Sequence, residues 1–475
     1  MSEPVAAAPG WKSAGRWLAP PAVAAAVWAL PHGRFDARAW GLLTVFAATI
    51  AGLIAQPLPG GAVVLVAVAL VGLLRIVPAP QALSGFANPT VWLIVAAFMV
   101  GRGFVKTRLG ERIAYALIGA FGGTALRLGY SLVLADLVLA PAIASNTARA
   151  GGVLYPITRS VARAFDSEPG PTARRLGAFL MKAVYQGDLV VSAMFLTAMT
   201  GNPLVAEMAR QSSGVAVTWA GWALAAALPG AAGIAVVPLL VYRLCPPEVG
   251  PVPEARGLAR SRLAEMGPMS RAERRMLGVA VAMLVLWATG TWHDISSTTV
   301  ALAGVAALLL LDVLQWSDIQ SEGVAWDAFV WFGGLVMMAE KMNEAGLLSA
   351  FVAGVAPLVG GWRWPVALAC LLLLYMYAHY FFASLTAHVT ALFPAFFALA
   401  CARGAPPLLA ALALGFFSSI NAAMTHYGTG PAVVFYGAGY LSQAEWWKIG
   451  FIMSLAHATL WLAVGFPWWK ALGLW

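Results

Sequence analysis

Residues 125–163 read ALRLGYSLVLADLVLAPAIASNTARAGGVLYPITRSVAR, an apolar stretch with polar residues in its middle. Because a membrane-crossing helix needs only about 20 apolar residues, this stretch is too long for a single crossing. It is interrupted by Pro141 and then by the polar triplet at residues 145–147. Unwound backbone inside a bilayer is tolerated only where it is buried in protein or lines a cavity. The stretch therefore predicts a re-entrant hairpin with a polar tip inside the membrane.

The second half of the chain repeats this pattern in the apolar residues 364–400. Residues 144–149 read ASNTAR and residues 383–388 read ASLTAH, and each motif interrupts an over-long segment. A further pair of matching turns follows downstream, TGNP at 200–203 and TGP at 429–431. Five predicted spans separate the two copies, an odd number, so we expect the copies to be inverted in the membrane. Paired interruptions in an inverted repeat are typical of a secondary transporter with a binding site near the bilayer midplane.

The composition agrees with a chain that crosses the membrane many times. Of 475 residues, 61% are hydrophobic and only 10% are charged, whereas soluble domains average about 25% charged residues. Apolar runs cover the whole chain, which excludes a soluble enzyme, a disordered protein and a single-pass receptor. The runs are continuous and not alternating, which excludes a β-barrel. We therefore predict an all-α polytopic membrane protein of about eleven transmembrane helices plus two re-entrant hairpins.

The charged residues lie mainly in short loops, where they report orientation. Lys and Arg number 29 against 20 Asp and Glu, a formal net charge of +9. The arginine-rich segment 243–275 is expected on the cytoplasmic side, since Lys and Arg are enriched in cytoplasmic loops. The N-terminus is then cytoplasmic and the C-terminus outside, in a cell inner membrane. A nucleic-acid partner is not indicated, because no basic soluble face with interleaved aromatics is present.

The two hairpin tips are suited to an oxyanion. Helix N-termini present unpaired N–H groups and the positive end of the helix dipole, and short Ser, Thr and Asn side chains add donors. Such a site binds carboxylate or a similar anion. Small polar residues also serve to pack helices closely, but two matched motifs in matched interruptions favour a binding site. Protease and hydrolase motifs such as HExxH and GxSxG are absent, so we do not expect an enzyme.

Several motifs together resemble the divalent anion:sodium symporter family. The triplet at 145–147 matches that family's first hairpin signature, and residues 379–392 read HYFFASLTAHVTAL. Residues 425–431 read THYGTGP and residues 197–203 read TAMTGNP. With the tryptophan-rich tail, these segments are most similar to the exchanger branch of the family. That branch comprises the bacterial citrate/succinate and tartrate/succinate antiporters and the plastid 2-oxoglutarate/malate translocators.

The resemblance implies a homodimer in the lipid bilayer that carries small organic di- or tricarboxylate anions by an elevator motion. A transport part would hold both hairpins and the broken helices, and a scaffold part would form the dimer contact. By segment, this gives N-terminal scaffold helices in 1–124, the first hairpin and broken helix in 125–214, a helix and a basic cytoplasmic loop in 215–275, scaffold helices of the second repeat in 276–363, and the second hairpin, broken helix and last helix in 364–475.

The resemblance also implies the residues of the binding site. The tip residues expected to contact substrate carboxylates are Ser145, Asn146, Thr147, Ser384 and Thr386. The residues expected to close the site are Thr200, Gly201, Asn202, Pro203, Thr429, Gly430 and Pro431. Sodium-coupled members carry Asn in the second triplet, where this chain has Leu385. Leucine offers no oxygen ligand, so sodium binding is in doubt, and no other cofactor or metal is expected.

Charge suggests how the transporter is coupled. A dicarboxylate in a low-dielectric site needs balancing positive charge. The candidates near the predicted site are Arg149, Lys182, His388 and His426. Without substrate, a fixed cation would be left unpaired, and moving it across the membrane would be unfavourable. Only the loaded carrier would then cross readily, which predicts sodium-independent antiport. Sodium-coupled symport of the same anions and transport of an inorganic oxyanion such as sulfate are the alternatives.

The same residues also have structural interpretations. Arg149 could cap the hairpin or bind lipid headgroups, and His388 could be a neutral hydrogen-bonding histidine. Lys182 could extend toward the membrane surface along its apolar stem. The intramembrane acids Asp136 and Asp188 could relay protons, although structural hydrogen bonding is the default expectation for both.

Overall fold

The computed structural model describes residues 10–33, 35–347, 350, 353 and 362–475, with side chains from residue 15 onward. The end of the predicted segment 276–363 thus lies partly outside the described residues. Within the described ranges the chain is helical and contains no strand, apart from one isolated bridge between Thr124 and Pro251. The principal helices are α1 Gly10–Trp28, α2 Ala37–Ala55, α3 Gly60–Leu73, α4 Pro89–Thr107, α5 Leu109–Phe121, α6 Ala125–Leu139, α7 Tyr155–Ala164, α8 Gly177–Met194, α9 Gly201–Ser213, α10 Trp219–Leu244, α11 Glu254–Met266, α12 Arg271–Ala288, α13 Ser297–Leu310, α14 Gly323–Glu344, α15 Trp364–Ala378, α16 Leu385–Ala402, α17 Pro407–Ile420, α18 Gly430–Gly437, α19 Gln443–Ala463 and α20 Gly465–Ala471.

Six helical segments of the described chain are long and apolar enough to cross a membrane. They are Ala37–Ala55, Pro89–Thr107, Trp219–Leu244, Trp364–Phe381, Leu385–Ala402 and Gln443–Ala471. Shorter apolar helices, among them Gly60–Leu73 and Ser297–Leu310, lie between them. The predicted class, an all-helical multi-pass membrane protein, is confirmed. The full number of crossings stays a prediction.

Both halves of the chain show the same order of helices and breaks. In the first half, α6 ends before residues 140–146, and a π-helical turn at Thr147–Leu154 leads into α7. In the second half, α15 ends at a short 3-10 turn, and α16 begins after Ser384. Each such pair is followed by a broken helix, α8 with α9 and α17 with α18. The helix breaks therefore fall where polar residues interrupt the apolar runs, while the inversion of the copies and their re-entrant course remain predictions.

Helices α8 and α17 form the centre of the molecule. Every residue of α8 is buried, and so is α17 from Leu409 to Ile420. A helix that is buried all round lies inside the bundle and not at its surface. Hydrogen bonds join the two helices across the halves of the chain: Tyr185 Oη donates to the Ala422 carbonyl at 2.6 Å, and Ser419 Oγ donates to the Leu189 carbonyl at 2.8 Å. The two broken helices are thus held in one body.

A smaller apolar core lies apart from this centre, among α2, α3 and α14. It is built from side chains such as Val64, Val68, Leu335 and Met338. The Asp327 carboxylate of α14 accepts a hydrogen bond from the Gly61 backbone N–H at 3.0 Å, which ties α14 to the start of α3. The molecule therefore contains two separately packed apolar regions.

A buried carboxylate connects α9 to the start of α4. Glu207 is only 3% exposed, and it accepts hydrogen bonds from Asn88 Nδ2 at 2.8 Å and from Thr90 Oγ1 at 3.1 Å. It also pairs with Arg210 at 2.7 Å. The charge of this buried acid is therefore compensated by contacts to two helices.

Replacing Glu207 with alanine should lower the free energy of unfolding by about 1–3 kcal/mol, since the partly buried donors Asn88 and Thr90 lose their acceptor. The measurement is thermal unfolding of the purified protein in detergent. Glu344→Ala is the matched control, because Glu344 pairs with Lys341 at 2.8 Å with a side chain that is 55% exposed. An exposed pair contributes about 0–1 kcal/mol, so equal losses in the two variants would contradict the structural role of Glu207.

Candidate functional site

The tips of both helix pairs line one cavity of about 390 Å³. Its walls come from both interruptions, from both broken helices and from α4 and α14. The lining residues are Phe98, Ser145, Asn146, Thr147, Ala148, Met199, Thr200, Val324, Asp327, Ala328, Trp331, Ala383, Ser384, Leu385, Thr386, Thr429 and Gly430. Motifs that are more than 200 residues apart in the sequence are therefore brought to one place.

The first tip is fixed by hydrogen bonds at its turn. Ser145 Oγ accepts from the Ala148 N–H at 3.2 Å, and Asn146 Nδ2 donates to Thr429 Oγ1 at 3.3 Å. The Thr147 side chain is exposed at the start of the π-helical turn. Because the Ser145 oxygen accepts from the backbone, its own O–H remains able to donate. The tip thus presents hydroxyl groups while one amide links it to the break between α17 and α18.

The second tip is a helix N-terminus that opens into the cavity. Ser384 Oγ caps α16 by accepting from the Ala387 N–H at 3.3 Å. Thr386 lies in the first turn of the same helix and lines the cavity. Helix α18 begins at Gly430 without a side-chain cap, so its first N–H groups have no partner within the helix. Together these N-termini create a positive potential at the lining of the cavity.

The opposite wall is mostly apolar and carries one acid. Phe98 of α4 and Trp331 of α14 face the tips, and the exposed Asp327 carboxylate lies between the cavity and α3. A second cavity of about 500 Å³ shares Asp327, Trp331, Ser384 and Thr386 with the first. It extends to the loop between α2 and α3. Sequence reasoning missed Phe98 and Asp327 as lining residues, and the only available signal was an acid at the edge of an apolar span.

Arg149 does not reach the cavity, contrary to the expectation of a free cation. The side chain is completely buried, and Arg149 Nε donates to Asp136 at 2.5 Å while Nη2 donates to Asp188 at 2.8 Å. The remaining donors bind Ser192 Oγ and the carbonyls of Ile143 and Ala198. All five N–H groups of a guanidinium are then used. Arg149 therefore fixes the first tip to α8 and has no donor left for a ligand.

His388 is likewise held inside the protein and does not line the cavity. Its Nε2 lies 3.0 Å from the Tyr375 carbonyl, and its Nδ1 lies 3.1 Å from Asn421 Nδ2. An imidazole that donates from Nε2 and accepts at Nδ1 is neutral. The structure thus gives His388 the structural role of a neutral hydrogen-bonding histidine, and not that of a fixed cation.

Other predicted residues support the site from behind the lining. Asn202 Nδ2 donates to the carbonyls of Ser192 and Phe195 at 2.8 and 2.9 Å, which holds the break before α9. His426 Nδ1 accepts from Trp447 Nε1 at 2.9 Å. Gly201, Pro203 and Pro431 are buried next to the breaks and are absent from the cavity lining.

Lys182 is another buried cation away from the cavity, and it does not extend to the surface. Its Nζ lies 3.2 Å from the Trp446 carbonyl and 3.6 Å from the centre of the Trp446 ring. Among the described residues, no group of three or more His, Cys, Asp or Glu side chains is arranged to hold a metal ion. The Leu385 side chain forms part of the cavity wall.

Comparison with known proteins identifies the family. Residues 12–475 match the family described as the sodium:sulfate symporter transmembrane region. The chain belongs to this family. The resemblance seen in the hairpin motifs is confirmed, and membership assigns the chain to membrane transporters.

Proteins from bacteria and plants are similar to this chain over nearly its whole length. YflS of Bacillus subtilis (strain 168), which is provisionally named a malate transporter, is 48% identical over 96% of this chain and 95% of its own length. The chloroplastic dicarboxylate transporter 1 of Spinacia oleracea is 44% identical over 94% of this chain and 80% of its own. The inner membrane protein YbhI of Escherichia coli (strain K12) is 39% identical over 92% of this chain and 93% of its own.

The fold also matches a solved transporter structure. The crystal structure of the Alcanivorax borkumensis YdaH transporter aligns with a TM-score of 0.54 at 17% sequence identity. The alignment covers 82% of this chain and 86% of the other. At this identity the likeness concerns the fold alone.

Proposed function

We propose that this protein exchanges small di- or tricarboxylates, of the succinate, malate, 2-oxoglutarate, citrate or tartrate class, across the membrane. The observation that carries the proposal is the single cavity shared by Ser145, Thr147, Ser384 and Thr386. Relatives named for malate and dicarboxylate transport support the substrate class. Ligand pockets usually measure about 300–1,000 Å³, so the cavity is large enough for a C4–C6 acid.

The substrate charge would be balanced by helix N-termini and hydroxyl donors. Arg149 and His388 are both engaged inside the protein, so neither supplies positive charge to the cavity. The N-termini of α16 and α18 and the serine and threonine hydroxyls remain, and each offers directed donors to a carboxylate. Two tips at one cavity can bind the two carboxylates of one molecule.

The same groups favour exchange over uptake by an empty carrier. In the empty carrier the hydrogen-bond donors and helix N-termini of the site have no anion to bind. Moving these unsatisfied groups through the bilayer interior is costly. A loaded site is satisfied and crosses more readily. Leu385 lines the cavity where a sodium ligand is expected in sodium-coupled members. We therefore propose sodium-independent antiport, with no cofactor.

The arrangement of the two apolar cores supports an elevator. The tips and broken helices belong to the centre around α8 and α17, while α14 of the opposite wall contributes side chains both to this core and to the second core with α2 and α3. Trp331 of this wall packs against both cores, so the cavity borders the second core, past which the tips would slide. The proposal includes a homodimer in an inner membrane, with the N-terminus cytoplasmic and the C-terminus outside.

Counterflow in proteoliposomes tests the proposal. Vesicles loaded with unlabelled succinate should accumulate labelled succinate without a sodium gradient, and vesicles without an internal anion should not. Malate, 2-oxoglutarate, citrate, tartrate and sulfate would be compared as internal counter-substrates. Strong sodium-dependent uptake into vesicles without an internal anion would contradict antiport and indicate sodium-coupled symport. Counterflow with sulfate but with none of the carboxylates would indicate that the substrate is an inorganic oxyanion.

A further inference from the structure

The guanidinium of Arg149 is shared by two carboxylates in a fully buried site. Arg149, Asp136 and Asp188 are each 0% exposed. The Asp136 oxygen lies 2.5 Å from Arg149 Nε, and the Asp188 oxygen lies 2.8 Å from Arg149 Nη2. Nε and Nη2 form one edge of the guanidinium, an edge that ordinarily binds a single carboxylate in a bidentate manner. Here the two nitrogens of that edge bind different carboxyl groups.

The charges of this buried cluster do not balance if both acids are ionised. Two carboxylates against one guanidinium leave one uncompensated negative charge away from water. An isolated ionised carboxylate in such a place is very costly, and a group in this position takes up a proton instead. When two carboxyl groups share a site, repulsion between their negative charges also favours a proton on one of them.

Unpaired oxygen atoms show where the proton belongs. Asp136 and Asp188 each use Oδ1 toward Arg149, and Oδ2 of each is buried without a hydrogen-bond partner. Both carboxyl groups bind the same guanidinium, Asp136 at Nε and Asp188 at Nη2, so they lie next to each other. Ionised carboxylates only accept hydrogen bonds, so neither can satisfy the other. One proton between them would give both acids a partner.

In the second half of the chain, the corresponding basic residue, His388, is held by neutral groups. Asp136 lies thirteen residues before Arg149, and Tyr375, whose carbonyl binds His388, lies thirteen residues before His388. Ser192 precedes Thr200 by eight residues, and Asn421, which also binds His388, precedes Thr429 by eight. Both halves thus fix the basic residue beyond the tip with groups at corresponding positions. In the second half all of these groups are neutral.

We propose that Asp136 and Asp188 hold one proton between them, so that the cluster with Arg149 carries no net charge. This site binds a proton and goes beyond the transport proposed above. Among the described residues, the buried Tyr185 also faces Asp188, and it is neutral as a phenol. The first hairpin is then joined to α8 without a net buried charge, whichever substrate is carried.

Infrared spectroscopy of the full-length protein in lipid vesicles tests this directly. Aspartate labelled with carbon-13 at the side-chain carboxyl should shift one carbonyl band of a protonated carboxylic acid at neutral pH. The described aspartates outside the pair are not buried, so they contribute carboxylate bands instead. Absence of any label-sensitive carboxylic acid band in the wild-type protein overturns the proposal, and this measurement needs no variant.

Substitutions assign the band to the pair. Asp136→Asn and Asp188→Asn should each abolish the band, because the single remaining carboxylate balances Arg149 and needs no proton. Asp166→Asn, at a side chain that is 86% exposed, is the matched control and should leave the band unchanged. A band that survives both single substitutions at the pair would place the proton elsewhere and overturn the assignment.

Discussion

Replacing Arg149 with alanine should greatly lower the stability and the yield of the folded protein. The substitution removes the counter-charge of Asp136 and Asp188 and leaves the carbonyls of Ile143 and Ala198 without their donor. Removing one partner of a buried ion pair costs about 3–5 kcal/mol. Whole proteins have a stability of only about 5–15 kcal/mol, so a large part of the stability margin would be lost.

The measurement is the yield of monodisperse protein in detergent, followed by thermal unfolding of any folded fraction. Arg163→Ala is the matched control, because Arg163 pairs with Glu168 at 2.9 Å and both side chains are about half exposed. An exposed pair contributes about 0–1 kcal/mol, so this variant should resemble the wild-type protein. If the Arg149→Ala protein had normal yield and stability but no transport, the structural role of Arg149 would be contradicted. Arg149 would then be a cation that binds the substrate.

The position of the helix breaks could be predicted from the sequence because their cause is local. Ser145 and Ser384 interrupt apolar runs that are too long for one helix, and the structure has turns at both places. The class of all-helical membrane protein follows from the same runs. The lengths of the apolar runs and the positions of their polar residues can be read from the sequence. Predicting the breaks and the helical class therefore needs no knowledge of long-range contacts.

The partners of the buried cations could not be predicted because they depend on distant packing. Arg149 binds Asp188 and Ser192, which are 39 and 43 residues away on another helix. A basic residue just beyond a polar tip looks the same in sequence whether it faces a ligand or a pair of acids. Its role is decided by which helix packs behind it.

The far wall of the cavity was missed for a related reason. Phe98 and Trp331 are aromatic residues in apolar helices, where most such residues pack against neighbours or meet lipid. Nothing in their spacing distinguishes a cavity wall from a packing contact. Only the assembled structure shows that they face the tips.

Replacing Gly430 with alanine should weaken substrate binding by about ten- to a hundredfold. A Cβ at this position would overlap the Thr147 hydroxyl and would lie 3.1 Å from Thr147 Cβ. Rotating the threonine side chain cannot relieve the second contact, because Cβ is fixed to the backbone. Overpacking of this kind costs about 1–3 kcal/mol, and about 1.4 kcal/mol corresponds to a factor of ten in affinity. The first tip would be pushed away from the start of α18, where both line the cavity.

Gly437→Ala is the matched control, since it lies at the other end of α18 and an added Cβ would meet no atom within 4 Å. Succinate-dependent thermal stabilisation and counterflow would be compared for the two variants. The Gly437 variant should match the wild-type protein, whereas the Gly430 variant should remain folded and need much more succinate for the same stabilisation. Because the two substitutions add the same methyl group to the same helix, a difference between them isolates the close approach of α18 to the first tip. If the Gly430 variant bound succinate with unchanged affinity, the contact between Thr147 and Gly430 would not belong to the binding site, and the shared cavity would lose its role in recognition.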